Sequence, residues 1–125
     1  MGLRQVLNFG HTFGHAVESL LNFALPHGVC VGLGMICALD YSKRNLGLCA
    51  DDERLALGLM EEFGLPLKLP AEFNLSADGI YQKMLEDKKV KSGLLNLVCV
   101  NALGESKIVT NPCKDEVLKS ISVIL

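Results

Sequence analysis

The chain lacks the features that mark several common classes of protein. Its 125 residues carry a formal net charge of −2, so there is no basic excess of the kind that a nucleic-acid-binding protein shows. It has no internal repeat and no low-complexity linker. With 50% hydrophobic and 21% charged residues, it is neither disordered nor fibrous. Length and composition therefore predict one folded domain over residues 1–125.

Long apolar segments are also missing. The longest apolar run, Gly28 to Leu39, ends at Asp40 and is too short to span a bilayer. The N-terminal stretch is interrupted by His11, His15 and Glu18, which a signal peptide would not contain. We therefore predict a cytoplasmic protein that does not enter a membrane.

No two cysteines have the C-x-x-C spacing of common redox and metal-binding motifs. The five cysteines are an odd number, and three of them lie in strongly apolar stretches. Buried free thiols in a reducing cytoplasm are therefore predicted in place of a disulfide framework. The cysteines are Cys30, Cys37, Cys49, Cys99 and Cys113.

Helical patterns occupy most of the chain. Apolar residues at helical spacing predict helices from Leu7 to Asn22 and from Gly28 to Asn45. The second is apolar on most sides, which is typical of a central helix. A third helix is predicted from Asp51 to Gly64, and Ser76 is a plausible cap for a fourth that runs to about Leu85.

The pattern changes near the C-terminus. Leu94 to Val100 and Lys107 to Thr110 predict two strands joined by a turn around Gly104. A final helix is predicted after Asn111-Pro112. The predicted fold class is therefore mainly α, a multi-helix domain with one small β-hairpin.

All three histidines of the chain lie between positions 11 and 27. His11 and His15 are four residues apart, so on a helix they share one face, and such a pair can bind Zn²⁺ with His27 as a further ligand. The alternative to a metal site is a structural role, in which the two histidines are half-buried and form hydrogen bonds with backbone groups. The presence of a third histidine close in sequence favours a metal site, although no obvious carboxylate ligand accompanies the three histidines.

Other polar residues extend this pattern. Arg4 and Asn8 fall in phase with His11 and His15 on the predicted helix. Arginine binds carboxylate or phosphate through two donors, and asparagine can donate to the same group. This row of polar residues on one helix face therefore predicts a binding site for a phosphorylated or carboxylated small molecule. The cationic segment from Asp87 to Gly93 is interpreted as a turn before the hairpin, and its charge pattern alone is more typical of a solvated face.

These segments closely resemble the C-terminal half of the 3-dehydroquinate synthase family. The matching pieces occur in the family's order and cover essentially the whole chain, and the first is long and specific. They are R-x-x-L-N-F-G-H-T-x-G-H-A-x-E (Arg4 to Glu18), L-P-H-G (Leu25 to Gly28), V-G-L-G-M (Val31 to Met35) and D-K-K-x-x-x-G (Asp87 to Gly93).

The resemblance implies a fold and an activity. The fold is that of the family's helical C-terminal domain. The family's reaction converts 3-deoxy-D-arabino-heptulosonate 7-phosphate, a phosphorylated seven-carbon keto-sugar acid, to 3-dehydroquinate and phosphate. This lyase step belongs to the shikimate route to chorismate and the aromatic amino acids. It uses NAD⁺ catalytically and a divalent metal, usually Zn²⁺ or Co²⁺.

The resemblance also implies roles for individual residues. His11 and His27 match the two metal-binding histidines, which replaces the pair of His11 and His15. His15 matches the catalytic group near the substrate phosphate. The residues implied to bind the substrate are Arg4, Asn8, His15, Lys88 and Lys89.

Two departures from the family pattern qualify these implications. The family's N-terminal half holds the NAD-binding domain and the metal-binding glutamate, and neither is in this sequence. We therefore expect the chain alone to hold no NAD-binding residue, to be inactive, and to self-associate, for example as a homodimer, through apolar surface that the missing half would cover. The second departure is Val29, where the family commonly has glutamate, and its loss is expected to weaken the surroundings of His27.

Three alternatives remain at this point. Another sugar-phosphate cyclase, such as a deoxy-inosose or valiolone synthase, would share the histidine motif and differ mainly outside this chain. A metal-dependent alcohol or glycerol dehydrogenase would share the helical domain, but Arg4, Asn8 and the D-K-K segment favour a phosphate-bearing substrate. A non-catalytic remnant domain is the third alternative.

Overall fold

The computed structural model describes the backbone of residues 9–91 and 93–125, and the side chains of all of these except residues 89–91. Within these residues the predicted mainly α fold with one antiparallel hairpin is confirmed. None of the described helices is both long and apolar enough to cross a membrane. The elements are α1 (His11–Leu20), α2 (His27–Asn45), α3 (Ala50–Glu62), α4 (Ala77–Lys91), β1 (Asn96–Ala102), β2 (Glu105–Thr110) and α5 (Lys114–Ser122).

Helix α2 lies at the centre of the molecule, as its apolar sequence predicts. It packs against α1, α3, α5 and β1, and Leu33 and Cys37 on it are fully buried. Gly47 follows its last turn in the left-handed conformation, with φ of 79°, and this confirms the expected end of the helix. A helix surrounded in this way needs apolar residues on most of its faces.

Helices α1 and α2 contact each other through glycines. A Cβ atom placed on Gly34 would lie 2.1 Å from the carbonyl oxygen of Gly10, and one placed on Gly14 would lie 2.7 Å from the carbonyl oxygen of Cys30. Only glycine leaves room for two backbones this close. These glycines therefore allow α1 and α2 to pack backbone against backbone.

The predicted bounds of the first helix are wrong at both ends. α1 begins at His11 because Gly10 has a φ of 77°, which a continuous right-handed helix cannot contain. It ends at Leu20, and Asn22 and Phe23 both have positive φ, 51° and 62°. The predicted helix placed Arg4 and Asn8 on the same face as His11 and His15. That alignment required one continuous helix, and the helix does not continue through Gly10.

Helix α4 is longer than predicted. The backbone N–H of Gly79 donates to Ser76 Oγ at 2.9 Å, which confirms the cap. The helix then continues through Asp87 and Lys88 to residue 91, so the interpretation of this segment as a turn is wrong. Lys83 lies 3.8 Å from Asp87 four residues on, a pairing that favours helix.

The hairpin is joined to the helices by hydroxyl groups. Ser42 Oγ on α2 donates to the carbonyl oxygen of Ala38 at 2.6 Å and accepts from the N–H of Val100 in β1 at 3.0 Å. Thr12 Oγ1 on α1 donates to the carbonyl oxygen of Asn96 at 2.9 Å. The first strand is thereby held against both helices that carry histidines.

All five cysteines lie in the described part of the chain, and none of them forms a disulfide. The prediction of buried thiols is confirmed for Cys30, Cys37 and Cys99 and is wrong for Cys49 and Cys113, which are exposed. Burial raises the pKa of the Cys99 thiol to about 11 and also raises the pKa of Cys37. These thiols therefore remain protonated and unreactive at neutral pH.

Candidate functional site

The three histidines line one cleft of about 270 Å³. His11 and His15 come from α1, His27 is the first residue of α2, and Asp87 and Lys88 come from the C-terminal part of α4. The remaining wall is formed mainly by the segment that leads into β1. Residues from three separate sequence motifs therefore meet in one concave surface.

His11 and His27 face each other across this cleft. Their ring centroids are 5.9 Å apart, and the ring planes are inclined by 84°. The contact depends on the close crossing of α1 and α2, because helical spacing alone brings His11 only to His15. A Zn–N bond is about 2.0–2.1 Å long, so two rings at this separation can both reach one cation with small rotations.

The described residues offer only part of a coordination sphere. Within residues 9–91 and 93–125 no three histidine, cysteine, aspartate or glutamate residues converge in a way that could hold a metal ion. The side chain of His27 is 65% exposed, so its ring is accessible from outside. Two accessible imidazoles fit zinc or cobalt by their chemistry, and the sphere would need further ligands.

Glu18 is one of two residues whose place in the site the sequence did not predict. It is 6% exposed, and its two carboxylate oxygens lie 3.0 and 3.1 Å from Nδ1 of His27. Its Oε1 atom also lies 4.0 Å from Nδ1 of His15. A signal was present, because Glu18 ends the first motif and falls three residues after His15, but the sequence could not show that it is buried.

Asp87 was also missed, although it belongs to the quoted D-K-K motif. Its Oδ1 atom lies 3.8 Å from Nζ of Lys83. Its Oδ2 atom is buried and has no hydrogen-bond partner among the residues that the structure describes. A buried carboxylate oxygen without a donor is costly, so its place in the cleft wall calls for a functional explanation.

The remaining predicted residues are only partly located. Lys88 is half-buried and lines the cleft. The side chain of Lys89 lies outside the described residues, as do Arg4 and Asn8. The substrate-binding roles of these residues stay predictions.

Val29 is half-buried and packs against the hydrophobic core. The carboxylate beside His27 comes from Glu18 instead. The expected weakening by Val29 stays a prediction.

Replacing Asp87 with alanine is expected to leave the free energy of unfolding unchanged or to raise it by about 1 kcal/mol. A buried oxygen without a hydrogen bond destabilises the folded state by about 1–3 kcal/mol, and the change removes that cost. The long ion pair with Lys83, which is lost as well, contributes little to stability. Urea denaturation measures the effect. Glu86→Ala is the matched control, because Glu86 is 68% exposed and pairs with the same Lys83, and it should stay within about 0.5 kcal/mol of the parent. A loss above about 1 kcal/mol for Asp87→Ala would show that Asp87 stabilises the fold.

The family model described as 3-dehydroquinate synthase C-terminal matches residues 1–90. The 3-dehydroquinate synthase of Dehalococcoides mccartyi is 42% identical over 118 residues, which cover 94% of this chain and 32% of the relative. That of Nostoc sp. is 42% identical over 119 residues, which cover 93% of this chain and 32% of the relative. The chain thus spans about a third of the length of the curated relatives that it matches.

Solved structures share the fold. A 2-epi-5-epi-valiolone synthase from Streptomyces hygroscopicus subsp. jinggangensis 5008, with NAD⁺ and Zn²⁺ bound, has a TM-score of 0.81 at 20% identity, covering 94% of this chain and 32% of that one. A 2-deoxy-scyllo-inosose synthase complexed with carbaglucose-6-phosphate, NAD⁺ and Co²⁺ has a TM-score of 0.79 at 21% identity, covering 94% and 34%. At these identities the similarity concerns the fold, and it confirms the predicted architecture.

The family match covers most of the chain and includes both segments that carry the histidines. The identity to full-length relatives extends beyond it through the hairpin. The chain therefore belongs to the 3-dehydroquinate synthase C-terminal family.

Proposed function

We propose that this chain forms the metal- and substrate-binding part of a 3-dehydroquinate synthase. The reaction would be the conversion of 3-deoxy-D-arabino-heptulosonate 7-phosphate to 3-dehydroquinate and phosphate. The observation that carries the proposal is that the rings of His11 and His27 face each other, with their centroids 5.9 Å apart. The cleft in which they lie also contains His15 and Lys88. This arrangement combines ligands for a cation with groups that can bind an anion.

In this proposal His11 and His27 hold Zn²⁺ or Co²⁺. When bound, such a cation supplies Lewis-acid polarisation of a substrate oxygen. The carboxylate of Glu18 contacts His27 from the side away from solvent. The two ligand rings would thus be held by α1 and α2, which pack backbone against backbone at their glycines.

The cleft's other residues would bind the substrate. Lys88 would meet a phosphate or carboxylate group by charge, and Arg4, Asn8 and Lys89 would add donors to the same anions. His15 is half exposed, with 45% of its side chain accessible. An imidazole can donate to a phosphate oxygen and can take up a proton, so we assign His15 the catalytic role.

The remaining parts of the reaction are assigned to the portion of the relatives that this chain does not span. That portion would hold NAD⁺ and supply at least one more metal ligand, since two imidazoles do not complete a zinc site. The chain alone would therefore be inactive and would use the other portion as its partner, with a homodimer as the assembly. We place the protein in the cytoplasm with other enzymes of amino-acid biosynthesis.

A different sugar-phosphate cyclase is the second candidate, because two such enzymes share the fold. Their identity to this chain is 20–21%, whereas 3-dehydroquinate synthases reach 42%. The sequence difference favours 3-dehydroquinate synthase.

A chimaeric enzyme tests the function. This chain would replace the matching 118-residue stretch of the Dehalococcoides mccartyi 3-dehydroquinate synthase, and phosphate release from the keto-sugar acid phosphate would be measured with NAD⁺ and Zn²⁺ or Co²⁺. We expect turnover by the chimaera and none by the chain alone.

Two controls make the result interpretable. The same chimaera with His11→Ala should fold and release no phosphate. A chimaera that folds, shown by circular dichroism, and remains inactive on this substrate would contradict the proposal. Release by the 125-residue chain alone would contradict the division of roles.

A further inference from the structure

We propose that Glu18 is a positioning residue that keeps the proton of neutral His27 on Nδ1, so that the Nε2 lone pair is available to a cation. The proposal rests on the proposed function in one respect, namely that His27 binds a metal. The preference for one tautomer does not depend on a metal, and it can be measured without one.

The tautomer follows from the donors and acceptors present. Both oxygens of Glu18 lie within 3.1 Å of Nδ1 of His27. An ionised carboxylate only accepts hydrogen bonds, so Nδ1 must carry the proton and donate. A neutral imidazole has one N–H, and its other nitrogen then has a free lone pair. Histidine binds metals as the neutral imidazole, through the lone pair of this second nitrogen.

The burial of Glu18 supports a role in the site. A buried carboxylate is unfavourable unless it is paired. Within residues 9–91 and 93–125 the ion-pair partners of Glu18 are His27 on α2 and His15 on α1, and no lysine or arginine is among them. Its neighbours in α1, Val17 and Ala16, are fully buried and apolar. The contacts that offset the burial of the Glu18 carboxylate are therefore those to the two histidines.

One carboxylate thus touches two histidines with different proposed roles. The contact to Nδ1 of His27 is a hydrogen bond of 3.0 Å, whereas Nδ1 of His15 lies 4.0 Å away. The shorter contact fixes the orientation of the ring, whereas the longer one is beyond hydrogen-bonding distance. His27 is therefore the ring that depends most on Glu18.

Nitrogen-15 NMR of the metal-free chain tests the tautomer. Spectra at about pH 8, above the ordinary pKa of histidine, distinguish a protonated ring nitrogen from a bare one. With three histidines in the chain, His11→Gln and His15→Gln identify the signals of His27. We expect Nδ1 of His27 to carry the proton in the parent chain. Glu18→Gln should preserve this state, because a carboxamide oxygen also accepts, and Glu18→Ala should lose it.

Zinc titration supplies the second measurement. Glu18→Ala should bind Zn²⁺ about 10–100-fold more weakly than the parent, the usual effect of losing such a partner, and Glu18→Gln should lose less. Glu61→Ala is the control, since Glu61 is exposed on α3. If Glu18→Ala does not fold, Glu18→Met refills the volume with only the weak acceptor of a thioether, and it replaces Glu18→Ala in both measurements.

The two outcomes separate the two proposals. A folded Glu18→Ala or Glu18→Met chain with the parent's tautomer and zinc affinity would overturn the role of Glu18. The expected tautomer together with no zinc binding by the chimaeric enzyme would instead count against the proposed metal site, and the positioning of His27 by Glu18 would stand.

Discussion

Replacing Gly34 with alanine is expected to destabilise the protein by about 3 kcal/mol or more. The new Cβ would lie 2.1 Å from the carbonyl oxygen of Gly10 and 2.5 Å from the backbone nitrogen of Gly14. Both are backbone atoms, so no side-chain rotation relieves the clash, and α1 must move away from α2. Overpacking in a close-packed core typically costs about 1–3 kcal/mol, and separating two helices that cover the core adds to this. Urea denaturation of the variant measures the loss.

Gly58→Ala is the matched control. Gly58 also lies inside a helix, α3, but a Cβ placed there has no heavy atom within 4 Å. Alanine should therefore stabilise the protein by about 0.5–1 kcal/mol, because it is the better helix former. Equal stability of the Gly34→Ala and Gly58→Ala chains would show that α1 and α2 are not in backbone contact.

Removing either His11 or His27 is expected to lower the affinity for Zn²⁺ by at least about 100-fold. Each variant leaves one imidazole of the facing pair, and a single imidazole holds zinc only weakly. His15→Ala should stay within about threefold of the parent, since His15 is not a ligand in the proposed site. Calorimetric titration with Zn²⁺ measures the three affinities, and circular dichroism shows that each variant is folded.

The comparison between His15 and His27 is the decisive part of that experiment. A loss for His15→Ala as large as that for His27→Ala would show that all three histidines contribute to zinc binding. A loss for His15→Ala with none for His27→Ala would support the pair of His11 and His15 on one helix face. Affinities for all three variants that equal the parent's would exclude a metal site at these histidines. Both results are distinguishable from unfolding because the same samples are checked for helix content.

Local patterns predicted most of the secondary structure. The second helix was expected from Gly28 to Asn45 and runs from His27 to Asn45, because its apolar character and the residues that end it are local. The hairpin was predicted for the same reason. The first helix was placed wrongly because its start depends on Gly10 in a left-handed conformation. That conformation brings Gly10 beside Met35, a contact between distant residues.

The same distinction applies to the candidate site. The histidines, the D-K-K motif and their resemblance to a family were visible in the sequence. The assignment of Asp87 and Lys88 to a turn was wrong, because the helix that contains them continues beyond the expected end at Leu85. The unpaired oxygen of Asp87 could not be foreseen, since it depends on what surrounds the side chain.

The sequence by itself determined the mainly α class, the central helix and the set of residues available for chemistry, because hydrophobic periodicity and motifs are properties of neighbouring residues. Only the tertiary structure decided that His11 meets His27 and that Glu18 is buried against Nδ1 of His27. Helical spacing joins residues three or four apart, whereas these contacts join separate helices. They exist because glycines let α1 and α2 pack backbone to backbone, and no local rule specifies which two helices will do so.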